Sequence, residues 1–325
     1  MARVLSGVQP TGAPHIGNYL GAWSRWAGEQ QADHFFCVVD LHAMTVPYEP
    51  GALRERTVDV ATWLLASGID PDIATLFVQS HVREHSELAW ILTCLATMGE
   101  LQRMTQFKEK TVGLESVSAG LLTYPVLQAA DILLYQADEV PIGADQRQHL
   151  ELSRDLAQRF NHRFTDTFTV PVATFPTTGA RVMDLQDHTK KMSKSLPPAG
   201  TILLSDDEAA TRKKVMRAVT DSGSEVRASP DKPAVSNLLD LMAAVTGTDV
   251  AALENHFTGT RYGDFKAELA EAVNGVLRPV RERYTQLRAE PDAVREVLVK
   301  GADRARTVAA DTMGLVRERV GLRGL

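Results

Sequence analysis

The stretch Val4-Leu5-Ser6-Gly7-Val8-Gln9-Pro10-Thr11-Gly12-Ala13-Pro14-His15-Ile16-Gly17-Asn18 sets the reading of the whole chain. Val4-Leu5 has the apolar, partly branched character of a short buried strand. Ser6-Gly7-Val8-Gln9-Pro10-Thr11-Gly12 carries the glycine and proline punctuation of a turn, and a helix is predicted from about 15 to 28. The alternation then repeats. His34-Phe35-Phe36-Cys37-Val38-Val39 is a second apolar strand, ending in Asp40-Leu41-His42. Residues 51–67 have helical periodicity, closed by Gly68. Thr75-Leu76-Phe77-Val78-Gln79 is a third strand, followed by a helix over 86–97. Strand–helix alternation predicts an α/β fold built on a Rossmann-like parallel sheet with helices on both faces. Ligands of such sheets bind beyond the carboxyl ends of the strands, where 7–12, 40–42 and 79–81 fall.

Residues 100–120 are polar and weakly periodic, as in a loop or short helices. Residues 124–135 are strongly helical, with Pro125 placed in the first turn. Val140-Pro141-Ile142-Gly143 reads as a short strand and turn, and helix resumes over 145–160. From about 206 onward no buried strand is predicted. Helical patterns occupy 206–219, 235–246, 249–256, 264–288 and 291–320. The predicted organisation is a Rossmann-like domain over 1–187, a mobile loop over 188–200, an all-helical domain over 201–288, and a terminal helical segment, 289–325, packing back on the first domain.

A chain of 325 residues with 44% hydrophobic content can bury a full core, and its length suggests about two domains. The net charge of −6 gives no global attraction to nucleic acid, so such a partner needs a local basic patch. Candidates are Arg212, Lys213, Lys214 and Arg217, and Arg278, Arg281 and Arg283, which also read as ordinary solvated helix faces. Cys37 and Cys94 lie in apolar stretches and are expected to be buried small hydrophobes. With no apolar run of membrane-spanning length and no secretory pattern, a cytoplasmic protein is expected.

Two segments carry chemistry most openly. Lys190-Lys191-Met192-Ser193-Lys194-Ser195 packs ammonium and hydroxyl donors into a loop that Pro197 and Pro198 prevent from becoming helix. It suits a strongly anionic ligand or a solvated charge run. The His15 turn offers free backbone N–H groups and the positive end of a helix dipole, suited to phosphate. Gly17 leaves room for a flat base against the backbone, and His15 and Asn18 share a face as donors; a plain surface helix start fits as well. Tyr124, Gln128 and Asp131 are spaced i, i+4, i+7 and form one stripe on an otherwise apolar helix. Asp131 needs a donor there, either a ligand with one N–H or O–H on an apolar body or a structural partner. In Gly143-Ala144-Asp145-Gln146, Asp145 is placed as a helix cap and Gln146 as a contact for an amino group or ribose.

Together the His15 turn and the lysine loop resemble the paired signatures of class I aminoacyl-tRNA synthetases. The likeness to the bacterial tryptophanyl-tRNA synthetases runs from end to end: 6–12, Gly99-Glu100-Leu101, 104–110, 122–135, 190–195 and Ala218-Val219-Thr220-Asp221-Ser222 all carry it. The resemblance implies ATP-dependent activation of tryptophan, transfer to tRNA(Trp), and a homodimer whose helical domain reads the anticodon. It implies that Asp131 accepts the indole N–H, that Tyr124 and Gln146 orient the amino acid, and that His42 and Gln128 border it. Gln9, Pro10, Thr11, His15, Gly17, Asn18, Gly143, Asp145, Lys191, Met192, Ser193, Lys194 and Ser195 fall at its ATP site. His15, Asn18, Lys110, Lys191 and Lys194 are its catalytic set, and Mg²⁺ would be held mainly by the ATP phosphates.

Four departures stand out. Gln128 replaces a frequent Met, Leu5 an aromatic in some members, Ala144 a common Glu and Leu196 a usual Asp. They bear on selectivity and loop dynamics. Competing readings are a tyrosine enzyme of the same subclass, a tryptophan-binding paralogue that no longer charges tRNA, and a small-molecule adenylate-forming ligase. The helical region after 200 argues against the last.

Overall fold

A computed structural model describes residues 2–113, 115–175, 182–193 and 198–322. Its sheet has five parallel strands: β1 (Val4–Val8), β2 (His34–Val38), β3 (Thr75–Val78), β4 (Glu139–Pro141) and β5 (Val172–Thr174), in the order β3-β2-β1-β4-β5. Phe35–Val38 of β2 and all of β3 are buried, as expected of strands covered on both faces. β1 is longer than its composition suggests. Ser6, Gly7 and Val8, expected in the turn, pair with Phe36, Cys37 and Val38. Pairing with an apolar neighbour overrides the weak strand preference of Gly and Ser. The strand order reverses between β1 and β4, which opens a crevice at their carboxyl ends.

Most predicted helices are present with shifted ends. The helix Pro50–Ala66 starts on a proline, whose missing N–H is tolerated there, and Gly68 follows it at φ +105°. Beyond His15 the backbone is α-helical at Ile16–Asn18 and Ser24–Glu29, with a π-helical turn, Tyr19–Trp23, between. Pro125 is not in a first turn. The helix Ala119–Leu134 begins earlier, capped by Ser118, whose hydroxyl accepts the Leu121 N–H at 3.2 Å. An interior proline costs about 3 kcal/mol; burial of Leu121, Val126, Ala129, Ala130, Ile132 and Leu133 offsets it. Cys94 also departs from expectation, being exposed while Cys37 is buried. The buried stripe of its segment is Leu88, Ile91, Leu92 and Leu95, and position 94 lies off it.

The second half is helical, at Glu208–Met216, Pro233–Thr246, Val250–His256, Tyr262–Ala289 and Pro291–Val320. One apolar cluster runs from Ile16, Phe36 and Trp63 through Val215, Leu238 and Phe265 to Leu298, so the sheet and the helices share a core. The Trp63 and Tyr284 rings stack 3.7 Å apart at that seam. Much of the basic character is engaged internally: Arg281 donates to Leu204 O, Asn274 Oδ1 and Thr211 Oγ1, and Lys214 pairs with Asp206 at 2.6 Å. Arg212 and Arg278 form surface pairs with Glu271 and Glu208. Among the described residues no helix is long and apolar enough to cross a membrane.

The helix Pro291–Val320 lies along β3, the edge strand. Ala302, Ala305, Ala309 and Met313 share a cluster with Phe77, Leu88 and Leu92. Covering an edge with a helix protects its unpaired backbone groups. Contact is close at Gly301, where a Cβ would lie 1.8 Å from the Leu76 carbonyl oxygen. Gly301→Ala is therefore expected to lower the unfolding free energy by about 2 kcal/mol in a urea titration. Gly314→Ala, on the same helix and facing open space, should be neutral or stabilising by up to about 1 kcal/mol.

Candidate active site

The crevice between β1 and β4 holds a cavity of about 350 Å³. Leu5, Cys37, Val39, Ile132, Val140 and Ile142 give it apolar walls, and Gln9, His42, Gln106, Lys110, Tyr124, Gln128, Asp131 and Gln146 give it polar ones. All five side chains expected to hold the amino acid, His42, Tyr124, Gln128, Asp131 and Gln146, thus meet in one place. Gln128 Nε2 donates to Gln146 Oε1 at 3.4 Å across it.

Asp131 has structural partners as well as a face on the cavity. His42 Nε2 lies 2.8 Å from Oδ2, and Gln79 Nε2 and His85 Nδ1 lie 2.7 and 2.6 Å from Oδ1. Burial works to raise its pKa, and the hydrogen bonds from His42 and His85 overcome this, holding the carboxyl well below its usual range. The Tyr124 hydroxyl sits 2.8 Å from His149 Nε2 and donates to Gln106 Oε1 at 3.2 Å. Burial pushes the Tyr124 pKa up to about 12. Lys110 Nζ stands 4.9 Å from the centre of the Tyr124 ring, a cation over a π face.

The residues expected around a nucleotide divide into groups. Gln9, Gly143 and Lys110 line the cavity. Gln9 Nε2 donates to the His42 carbonyl at 2.9 Å, which joins the end of β1 to the amino-acid side. Pro10 and Thr11 continue from Gln9 into the turn, where Gly12 takes φ +62°. His15 is buried in extended backbone, and its N–H donates to Asn18 Oδ1 at 3.0 Å. Asn18 therefore closes the turn with its oxygen and keeps its amide N–H groups as donors. A Cβ at Gly17 would lie 3.0 Å from the His15 ring, so the glycine makes room for that imidazole.

Asp145 is not the cap expected of it. It lies in a 3₁₀ turn, Ala144–Gln146, before the helix Arg147–Arg163, and its Oδ2 accepts from Gln146 Nε2 at 3.0 Å. Gly143 leaves space for that carboxylate, since a Cβ would lie 2.7 Å from Asp145 Oδ1.

The lysine segment is anchored at its base. Met192 is buried in the shared core and its N–H donates to the Val182 carbonyl at 3.0 Å. Lys191 is exposed, and Ser193 is half-buried with its carbonyl accepting from Thr201 Oγ1. Lys194, Ser195 and Leu196 lie outside the described residues. Beyond them the chain returns to the signature turn: Ile16 N–H donates to Ile202 O at 2.9 Å and Leu204 N–H to Pro14 O at 2.9 Å.

Sequence reasoning missed Gln79, His85, Tyr135 and His149 as site-building residues. Gln79 had a signal, its position at a strand end; the other three had none in the local pattern. His149 is fully buried and its pKa is drawn down to about 4, by burial first and the Lys110 charge second. The unfolded chain takes up this proton near pH 6.5, the folded protein only near pH 4. The stabilising contribution is therefore complete above about pH 6.5 and lost as the pH falls towards 4. Urea unfolding at pH 7 and pH 5 should show a loss of about 2 kcal/mol from this group. The loss is expected to be absent in His149→Gln, whose amide still reaches the Tyr124 hydroxyl.

The family model for class I tRNA synthetases of the W and Y type matches residues 1–278. The tryptophan–tRNA ligase 2 of Streptomyces avermitilis is 53% identical over 325 residues, covering 98% of this chain and 96% of its own. Among solved structures, the tryptophanyl-tRNA synthetase of Mycoplasma pneumoniae superposes with a TM-score of 0.89 at 39% identity, over 99% of this chain and 98% of its own. That of Campylobacter jejuni, complexed with ADP and tryptophan, gives 0.85 at 35%, over 98% and 100%. With this sheet, this cavity and these relatives, the chain belongs to the class I tRNA synthetases of the tryptophan and tyrosine type.

Proposed function

We propose that the chain is a tryptophan–tRNA ligase. It activates L-tryptophan with ATP, giving tryptophanyl-adenylate and pyrophosphate, then passes the amino acid to the 3′-terminal adenosine of tRNA(Trp). The observation that carries this is the one cavity in which Asp131, Tyr124, Gln128, Gln146 and His42 meet Gln9 and Lys110. Full-length likeness to tryptophan–tRNA ligases, and a tryptophan-bound neighbour, support it.

In this reading Asp131 accepts the indole N–H, and Tyr124 and Gln146 orient the α-amino group. The tryptophan carboxylate attacks the α-phosphorus of ATP as the bond to the β-phosphate oxygen breaks. Charge gathers on the departing pyrophosphate, where Lys110, Lys191 and Lys194 neutralise it, with Ser193, Ser195 and the His15–Asn18 turn as further donors. Mg²⁺ enters bound to the phosphates. A hydroxyl of the terminal adenosine then attacks the activated carbonyl and AMP leaves. Phenylalanine lacks the N–H and would leave the cavity-facing acceptor site on Asp131 Oδ2 unfilled, a penalty on the order of 10⁴-fold.

The helices over 201–288 read the anticodon, and two copies pair through an exposed apolar patch. Trp90 is 70%, Met98 59% and Met44 50% exposed, with Met44 and Trp90 on one groove. The protein acts in the cytoplasm.

Amino-acid-dependent ATP–pyrophosphate exchange tests the reading, run with tryptophan, tyrosine, phenylalanine and no amino acid. Exchange is expected with tryptophan alone, and Asp131→Asn should cut kcat/KM for tryptophan about 100-fold. Exchange with tyrosine instead would move the chain to the tyrosine enzymes, whose substrate also offers one donor. No exchange from folded protein would end the catalytic reading.

A further inference from the structure

Asp131 is fully oriented by the protein itself. Its Oδ1 takes two donors, Gln79 Nε2 and His85 Nδ1, and its Oδ2 takes one, His42 Nε2. A carboxylate has about four acceptor sites, so one is left, on Oδ2, for the cavity that Asp131 lines. The donors on Oδ1 are locked from behind. Gln79 Oε1 accepts the Leu41 N–H at 3.1 Å, which fixes the amide with Nε2 towards Asp131. His85 is fully buried, and its Nε2 lies 2.8 Å from the Tyr135 hydroxyl. A neutral imidazole that donates through Nδ1 accepts through Nε2, so the phenol donates to His85 and His85 donates to Asp131. Hydroxyl, imidazole and amide all turn their positive ends towards one carboxylate.

We propose that His85, with Tyr135 behind it and Gln79 beside it, is the positioning residue of the amino-acid pocket: it holds Asp131 turned so that the cavity offers one acceptor to an aromatic side chain carrying one N–H. This rests on the reading of the cavity as a tryptophan site. His85 does not line the cavity and acts only through Asp131.

The charge state gives the inference its distinctive signature. The groups around Asp131 are His42 from the helix Asp40–Ala43, Cys37 from β2, His85 from the helix Glu84–Thr93, and Tyr135 at the end of its own helix. Burial opposes the ionised form, and the imidazole donors outweigh it. With the His85 donor removed, burial is opposed by His42 and Gln79 alone, and the carboxyl titrates at higher pH. As the pH falls, its proton then occupies the acceptor that the indole needs. In the parent protein the carboxyl stays ionised through the neutral range.

The test is ATP–pyrophosphate exchange by the full chain, measured from about pH 8 to pH 6 in parent, His85→Leu, His85→Asn and Tyr135→Phe. His85→Leu should raise the KM for tryptophan about 10-fold or more, with kcat and the KM for ATP within about twofold. The ratio of variant to parent KM should grow as the pH falls, because the variant loses a donor that holds the Asp131 carboxyl low. His85→Asn restores a donor at the Nδ1 position and should stay within about threefold of the parent, with a flat ratio. Tyr135→Phe, the mildest change to the fold, should show the same growing ratio at smaller amplitude. An unchanged KM in His85→Leu, or an equal and pH-independent rise in Leu and Asn, overturns the proposal in favour of packing alone. Should His85→Leu fail to fold by circular dichroism, a flat ratio in Tyr135→Phe overturns it. A parent without tryptophan-dependent exchange removes the reading of the cavity and this proposal together; an active parent whose variants depart from the pattern removes the proposal alone.

Discussion

A carboxylate in the middle of an apolar helix is the constraint around which the site is arranged. Burying that charge unpaired would be prohibitive, and Asp131 meets it with donors from the Asp40–Ala43 helix, the turn after β3 and the Glu84–Thr93 helix. Segments far apart in sequence are held in register by one group. The same constraint reaches the end of β1, because Gln9 donates to the carbonyl of His42, the residue whose ring donates to Asp131. Tilting any one of these elements would strand a buried donor or acceptor, at a cost of about 1–3 kcal/mol.

What the sequence makes legible follows from how local each signal is. The strands and the later helices announce themselves through period and punctuation, and the stripe Tyr124, Gln128, Asp131 follows from helix geometry alone. β1 extends beyond its local signal because its last residues take their strand state from β2, a partner thirty positions on. Pro125 and Asp145 depart from familiar local rules: the helix around Pro125 begins earlier and is held by burial of its apolar face, and a 3₁₀ turn places Asp145 one residue before the Gln146 cap. The partners of Asp131 were beyond reach. Nothing in the neighbourhood of His85 tells a histidine that holds a carboxylate from one that faces water, and the two residues are 46 positions apart.

The lysine segment shows why two signatures so distant in sequence belong together. Met192 is buried in the core and, beyond the lysines, the chain pairs with the turn containing His15: His15 and Leu203 form an antiparallel bridge, and Ile16 and Leu204 donate across it. The base of the segment is tied to the helical half as well, since Met183 N–H donates to Asn237 Oδ1 and Val219 N–H to Leu185 O. Rotation of the helices relative to the sheet would therefore be felt at the root of the lysines.

The approach of Gly301 to the Leu76 carbonyl has a consequence for how the molecule is made. β3 is among the early strands to leave the ribosome, whereas the helix that shields its open side follows all five strands in the chain. Until that helix is made, then, an apolar strand lies at a sheet margin without its cover, the condition under which nascent chains join edge to edge. Cover for that margin arrives only with the helix Pro291–Val320.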